Sequence, residues 1–196
     1  MRKIPEILEK DEQEQLLEVF NTRYPTALRN KVMIKLMLNT GLRLSEAINL
    51  KWKDINLQTG KLKVVEGKGA KDRIVWVNDC ALNLLREWRE RQYEEVKKRD
   101  LQTEKITCMF TTLQGRSLKP ANVRQMVYKY SDKAGIDKQI SPHTFRHTFA
   151  TDLYRATNNL RQVQKALGHS DISTTQIYTH IIDSELEEAM KNFRKS

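Results

Sequence analysis

The spacing of apolar residues changes near residue 61 from a helical period to that of a β-strand. Residues 61–65 (KLKVV) and 73–77 (RIVWV) are rich in β-branched side chains, which favours β-strands. Between them, residues 67–72 (GKGAKD) are of types that reverse the chain direction. The pattern predicts one β-hairpin in a chain whose other apolar residues follow helical spacing.

Helical spacing accounts for most of the remaining sequence. It predicts helices over residues 6–20, 28–39, 46–50, 82–98, 120–130, 141–154, 160–167, 172–178 and 184–193. Gly41 and Gly168 stand where two of these helices stop, and Ser45 is expected to cap the helix that follows it. The predicted fold class is therefore α+β, mostly α-helical, with one small antiparallel sheet near the first third of the chain.

Length and composition are those of a single folded domain. A chain of 196 residues buries roughly two-thirds of its unfolded surface, so it needs no disulfide or metal to fold. Its 39% hydrophobic and 31% charged residues exclude collagen-like and wholly disordered chains. No apolar run has the length of a membrane span, and no signal-peptide segment opens the sequence. We expect a cytoplasmic protein with reduced thiols at Cys80 and Cys108, which lack zinc-site spacing.

Positive charge is in excess and unevenly distributed. Lys and Arg total 35 against 25 Asp and Glu, a formal net charge of +10. Between residues 116 and 146, seven basic side chains accompany two acidic ones. A basic domain of this kind indicates a polyanionic partner, most often nucleic acid. The cations expected to contact DNA are Lys71, Arg73, Arg116, Lys119, Arg124 and Lys129.

Four short segments carry chemically reactive side chains. They are residues 40–47 (TGLRLSEA), 67–73 (GKGAKDR), 143–151 (HTFRHTFAT) and 167–178 (LGHSDISTTQIY). His143 and Arg146 are three residues apart, so they share a helix face, which borders the core and need not be buried in it. Taken singly, each segment also has an ordinary structural interpretation. Arg43 is a salt-bridge partner for Glu46, and Lys68 stands at the tip of a hairpin.

In this order and with these gaps, the four segments closely resemble the catalytic domain of tyrosine recombinases, the phage-integrase and Xer-type family. The resemblance extends from about Ile4 to the last predicted helix. It implies the catalytic-domain fold of that family over residues 1–180 and a C-terminal helix over residues 181–196. It also implies a site-specific recombinase that cleaves and rejoins double-stranded DNA through a 3′-phosphotyrosine, with no metal, nucleotide or other cofactor.

The resemblance also implies the catalytic residues. They are Arg43, Lys68, His143, Arg146, His169 and the nucleophile Tyr178. A tyrosine can form a covalent intermediate, and two permanently charged guanidiniums suit the non-bridging oxygens of the phosphate. Lys68 can protonate the leaving 5′ oxygen, while His143 assists proton transfer and His169 bonds a phosphate oxygen. Glu46 has a supporting role, because one helical turn brings it to the Arg43 guanidinium.

The same resemblance concerns the ends of the chain. An amphipathic tail follows the nucleophile, and in the family such a tail docks on a neighbouring subunit, which implies a homotetramer on DNA. Most members carry a separate N-terminal domain that clamps the DNA, whereas this chain starts almost where the catalytic domain begins. The sequence leaves open a fragment or a minimal enzyme. Without the clamp we expect weak, strongly salt-dependent DNA binding, which a filter-binding titration measures.

Two other arrangements of the reactive residues have less support. His143 and His147 have the i, i+4 spacing of metal ligands, but the segment lacks the Glu of a zinc protease and places an arginine between them. Ser170 and Asp171 resemble triad members beside His169, yet adjacent residues cannot adopt relay geometry. No metal site is therefore expected.

Three alternatives to these assignments remain open. Lys71 can replace Lys68 as the general acid, since both lie in one turn. A relaxing enzyme of the type IB topoisomerase kind would use the same nucleophile without pairing two DNA sites. Residues 160–178 are also compatible with a helix-turn-helix, which would make the chain a DNA-binding module without catalysis.

Overall fold

The computed structural model describes residues 5–65, 72–102, 106–168 and 190–191. Its elements are α1 (Lys10–Glu18), α2 (Pro25–Thr40), α3 (Leu44–Asn49), a 3-10 turn (Trp52–Asp54), β1 (Lys61–Val64), β2 (Arg73–Trp76), α4 (Asp79–Lys97), α5 (Pro120–Lys133), α6 (Pro142–Thr157) and α7 (Leu160–Leu167). The predicted α+β class, mostly helical with a two-stranded antiparallel sheet, is confirmed. Along these ranges no helix has the length and apolar character that crossing a membrane requires.

Helix α2 lies at the centre of the core. Its apolar residues are buried on all sides because it packs against both α4 and α6. Pro25 suits its first turn, where the missing N–H has no helical partner to lose. The helix ends at Gly41, whose φ of +64° is left-handed and whose N–H donates to the Met37 carbonyl at 2.9 Å. A short connection through Gly41 then leads to α3, which begins at Leu44.

The predicted hairpin is present. Strands β1 and β2 pair antiparallel, with Lys61 opposite Trp76 and Val64 opposite Arg73. Burial alternates along both strands, so Leu62, Val64 and Val75 face the core. Arg73 lies on that same inward face. The connecting turn, residues 66–71, is outside the described residues.

Several helix ends differ from the prediction, because capping overrides apolar spacing at the termini. Helix α1 begins at Lys10 rather than residue 6, since the Glu9 N–H donates to the Glu12 carboxylate at 2.7 Å and starts the helix there. Ser45 is not the cap of α3. That position belongs to Arg43, whose N–H donates to Glu46 Oε2 at 2.7 Å. The predicted helices over 172–178 and 184–193 fall outside the described residues, apart from residues 190–191.

Helices α6 and α7 complete the surroundings of the site. They pack on each other through Ala150, Val163 and Leu167, and α7 also contacts β2. Helix α7 ends at Gly168, again in a left-handed conformation. The fold therefore brings together the end of α2, the start of α3, the start of β2, the middle of α6 and the end of α7.

Replacing Gly41 by alanine is expected to destabilise the protein by about 2–4 kcal/mol. An added Cβ would overlap the Phe149 ring and lie 3.0 Å from Leu167 Cδ2, in a backbone conformation that disfavours side chains. Gly135→Ala is the matched control, because its φ is +68° but a Cβ there meets nothing within 4 Å. Urea unfolding of both variants separates overpacking from backbone strain. Equal losses would contradict the proposed overlap.

Candidate active site

Arg146 is buried where three segments meet. Its side chain projects from α6; its Nη1 donates to the Gly41 carbonyl at 2.6 Å and its Nη2 to the Leu167 carbonyl at 2.7 Å. Only 6% of the residue is exposed, so Arg146 is buried, which the predicted position at the border of the core did not require. The two carbonyls explain the burial, because a buried charge is tolerated when it is hydrogen-bonded. They also hold the plane of the guanidinium in one orientation.

The Glu46 carboxylate is shared by two arginines. Arg43 Nη1 donates to Glu46 Oε1 at 2.8 Å, while Arg73 Nη1 and Nη2 donate to Oε1 and Oε2, each at 2.8 Å. The Arg43 side chain is 38% exposed, whereas those of Glu46 and Arg73 are 7% and 6% exposed. The exposed guanidinium is thus held in place by a buried carboxylate.

Glu46 stays ionised at neutral pH, so the net charge of this cluster does not change there. Burial opposes ionisation of Glu46, but hydrogen bonds and positive charge from Arg73, together with hydrogen bonds from Arg43, outweigh it and lower its pKa to about 2. Two guanidiniums and one carboxylate leave a net positive charge. Such a site attracts an anion without changing its own protonation.

The end of α7 is held by arginine side chains. Arg73 Nε donates to the Ala166 carbonyl at 2.9 Å, next to the Leu167 carbonyl that Arg146 binds. The last carbonyls of a helix have no partner within the helix, and positive charge at this end interacts favourably with its dipole. The guanidiniums therefore fix the segment that leads into His169.

Two histidines lie near the start of α6. His143 is in the first turn and exposed, and His147 is partly buried one turn further on. Burial, with lesser contributions from the charges of His143 and Arg146, lowers the pKa of His147 to about 4. His147 is therefore neutral in the folded protein at neutral pH.

This shift predicts a pH dependence of stability. The folded protein keeps His147 neutral, whereas the unfolded chain protonates it near its ordinary pKa of about 6.5. The free energy of unfolding is therefore expected to fall as the pH drops from about 6.5 towards 4. In His147→Gln this part of the decline should be missing. Urea midpoints of both proteins between pH 7.5 and 4.5 measure it, and parallel curves would contradict the assignment.

The described residues contain only part of the predicted site. Arg43, Glu46 and Arg146 lie where these elements meet, and His143 lies one helical turn before Arg146 on α6. Lys68, Lys71, His169 and Tyr178 lie outside the described residues. The other predicted DNA contacts, Arg116, Lys119, Arg124 and Lys129, are exposed in α5 and the loop before it. Within the described ranges, no group of three His, Cys, Asp or Glu side chains is placed to hold a metal ion.

Arg73 differs from its predicted role as a DNA contact. Its buried guanidinium binds Glu46 and the Ala166 carbonyl, so it is not presented at the surface. The sequence could have predicted this burial, because the two-residue period of a strand places Arg73 on the same inward face as Val75 and Val77. The backbone carbonyls that accept from the guanidiniums could not be predicted from the sequence, because every residue has such a carbonyl.

The comparison with known families identifies the class of protein. The model of the phage integrase family matches residues 6–185, so the chain belongs to that family. It is 38% identical over 192 residues to the tyrosine recombinase XerD of Staphylococcus epidermidis, an alignment covering 98% of this chain and 63% of the relative. A tyrosine recombinase of Agathobacter rectalis is 39% identical over 175 residues, or 88% of this chain and 54% of the relative. The chain thus spans between half and two thirds of these curated relatives.

Solved structures have the same fold. The crystal structure of XerA recombinase matches with a TM-score of 0.82 and 31% identity, covering all of this chain and 68% of that one. The XerH site-specific recombinase bound to palindromic difH substrate, a post-cleavage complex, matches with a TM-score of 0.79 and 33% identity. That alignment covers 98% of this chain and 54% of XerH. The tyrosine-recombinase catalytic-domain fold is therefore confirmed.

Proposed function

We propose that this chain is the catalytic part of a site-specific tyrosine recombinase. It cleaves double-stranded DNA by attack of Tyr178 on a phosphodiester and rejoins it through a 3′-phosphotyrosine, using neither metal nor nucleotide. The observation that carries the proposal is the cluster of Arg43, Glu46 and Arg146. Arg43 and Glu46 lie at the start of α3 and Arg146 lies on α6, and buried partners orient both guanidiniums. Relatives named as recombinases and the complex of XerH with its DNA substrate support it.

The guanidiniums suit the phosphate at the cleavage position. Negative charge builds on its non-bridging oxygens as the tyrosine attacks, and fixed cations stabilise that charge without reorganising. Arg43 is exposed enough to meet a phosphate, and Arg146 adds a positive charge held by two carbonyls. His143, in the exposed first turn of α6, is near the positive end of a long helix dipole. The described part of the site is therefore arranged for phosphoryl transfer.

The remaining roles are those that membership of the family implies, and the residue types suit them. The Tyr178 oxygen forms a bond to phosphorus as the bond from phosphorus to the 5′ oxygen breaks. Lys68 gives its proton to that leaving oxygen, and the Tyr178 proton passes to a neighbouring base such as His143. His169 bonds a phosphate oxygen. Attack by a 5′ hydroxyl on the phosphotyrosine reverses these steps, so the bond energy is conserved and no external energy source is needed.

Residues outside the site are proposed to bind the DNA and to form the assembly. Arg116, Lys119, Arg124 and Lys129, which are exposed, and Lys71 contact the DNA backbone and contribute salt-dependent affinity. Residues 1–180 form the catalytic domain, and the helix over 181–196 docks on a neighbouring subunit in a tetramer on DNA. The reaction takes place in the cytoplasm, the compartment of bacterial DNA.

A covalent-trap assay tests the proposal. The protein is incubated with nicked duplexes made from its source genome, because loss of the short fragment beyond the nick traps the phosphotyrosine. We expect a slowly migrating protein–DNA adduct on denaturing gels. Tyr178→Phe should lack it, while Tyr93→Phe, which changes an exposed tyrosine on α4, should retain it.

Two results would overturn the proposal. An adduct that persists in Tyr178→Phe would show that Tyr178 is not the nucleophile. If the wild-type chain binds DNA but forms no adduct, the assay is repeated with the DNA-clamping domain of a relative fused ahead of Met1. Continued absence of the adduct would favour a DNA-binding module without catalysis.

A further inference from the structure

Arg73 connects three segments of the candidate active site. It is the first residue of β2 and stands five residues after Lys68 in the sequence. Its Nη1 and Nη2 grip both oxygens of Glu46, and its Nε binds the Ala166 carbonyl at the end of α7. One rigid guanidinium thus links the hairpin, α3 and α7.

The contact with Glu46 reaches an exposed cation. Glu46 Oε1 accepts from Arg73 Nη1 and also from Arg43 Nη1, both at 2.8 Å. Because Arg73 holds the carboxylate by two parallel bonds, the direction that Glu46 offers to Arg43 is fixed. Without the two hydrogen bonds from Arg73, the Glu46 side chain would be free to rotate and would orient the Arg43 guanidinium less well.

The contact with α7 acts on a second segment. The Ala166 carbonyl is one of the last in its helix and is satisfied by Arg73 Nε at 2.9 Å. Two residues later Gly168 ends the helix, and His169 follows. The bond therefore anchors the last turn of α7, which precedes His169 in the sequence.

Stability alone is a poor explanation for this arrangement. A buried ion pair is often replaceable by apolar residues with no loss of stability, because desolvation of the charges offsets their attraction. Apolar neighbours on the same strand face, Val75 and Val77, show that the core accepts such residues there. What a guanidinium adds is fixed direction towards three acceptors at once.

We propose that Arg73 is a positioning residue, which orients Arg43 through Glu46 and anchors the end of α7 for the reaction. It does not contact the DNA. This inference rests on the proposed recombinase function, in which Arg43 neutralises a non-bridging oxygen of the cleaved phosphate.

The test compares two substrates and three variants. One nicked duplex carries a normal phosphodiester at the cleaved position, and the other carries a methylphosphonate, which lacks the negative charge there. The variants are Arg73→Gln, Arg73→Lys and, as control, Arg23→Gln. Arg23 is exposed and precedes α2, whose 16 residues separate it by about 24 Å from the site at the other end. Arg73→Lys keeps a positive charge opposite Glu46, which protects the fold if Arg73→Gln is unstable.

On the phosphodiester, both Arg73 variants are expected to form adduct about 10- to 100-fold more slowly at saturating DNA, with DNA affinity within about twofold of wild type. On the methylphosphonate the difference should shrink to within about threefold, because the charge that Arg43 meets is absent. Arg23→Gln should match wild type on both. Equal losses on the two substrates, or a loss of affinity with a salt slope reduced by about one, would overturn the inference.

An activity-independent measurement separates the inference from the proposed function. In protein labelled with ¹⁵N arginine, the Arg43 guanidinium signal, assigned with Arg43→Lys, should show hindered rotation in wild type and Arg23→Gln. In Arg73→Gln and Arg73→Lys the rotation should become faster. If wild-type protein forms no adduct, the proposed function fails, and this measurement still decides the positioning. Unchanged rotation in both Arg73 variants would refute it.

Discussion

Glu46→Ala is expected to lower the free energy of unfolding by about 3–5 kcal/mol. Removing the carboxylate leaves the Arg73 guanidinium, whose side chain is 6% exposed, without its ionic partner in the core. Chemical denaturation measures the loss as a lower midpoint at constant slope. The loss should stay constant above about pH 4.5 and shrink as the pH falls towards 2, because the pKa of Glu46 is lowered to about 2 and its protonation then removes the same charge in wild type.

The double variant Glu46→Ala/Arg73→Met provides the control. It removes the uncompensated charge of the Arg73 guanidinium together with the carboxylate, so at least half of the lost free energy of unfolding should return. Adduct formation should remain slow, because Arg43 still lacks its orienting carboxylate. A single variant that loses less than about 1 kcal/mol would show that the carboxylate is not essential to this buried cluster.

Arg146→Ala is expected to slow DNA cleavage by about 100- to 1,000-fold, the largest effect among the described residues. It removes a buried positive charge and leaves the Gly41 and Leu167 carbonyls without that donor. The unsatisfied carbonyls should also cost about 2–4 kcal/mol of stability. Single-turnover cleavage, at a temperature where circular dichroism shows both proteins folded, separates the two losses.

Two further variants sharpen this prediction. Arg146→Lys keeps the charge but lacks the planar fork, so it should recover stability more than rate. Arg155→Ala, on the same helix, removes only partly exposed ion pairs with Glu9 and Asp152, and should change stability by less than about 1 kcal/mol and leave the rate unchanged. Full activity in Arg146→Lys would contradict a requirement for the geometry of the guanidinium.

Much of the fold was predictable because its signals are local. The hairpin followed from β-branched runs around a turn, and the ends of α2 and α7 followed from Gly41 and Gly168. Where local signals compete, prediction failed. Ser45 is a good cap by type, but the pairing of Arg43 with Glu46 starts the helix two residues earlier, with Arg43 as the N-cap.

The types of element, their order and the four reactive segments could be predicted without coordinates, because periodicity, turns and helix ends depend on residues near each other in the chain. Which cations are buried, and what they bind, depends on contacts between distant parts of the chain. Arg73 meets Glu46 across 27 residues and Ala166 across 93, and Arg146 meets Gly41 across 105. A buried charge is tolerated only with such partners, and folding alone brings them within hydrogen-bond distance.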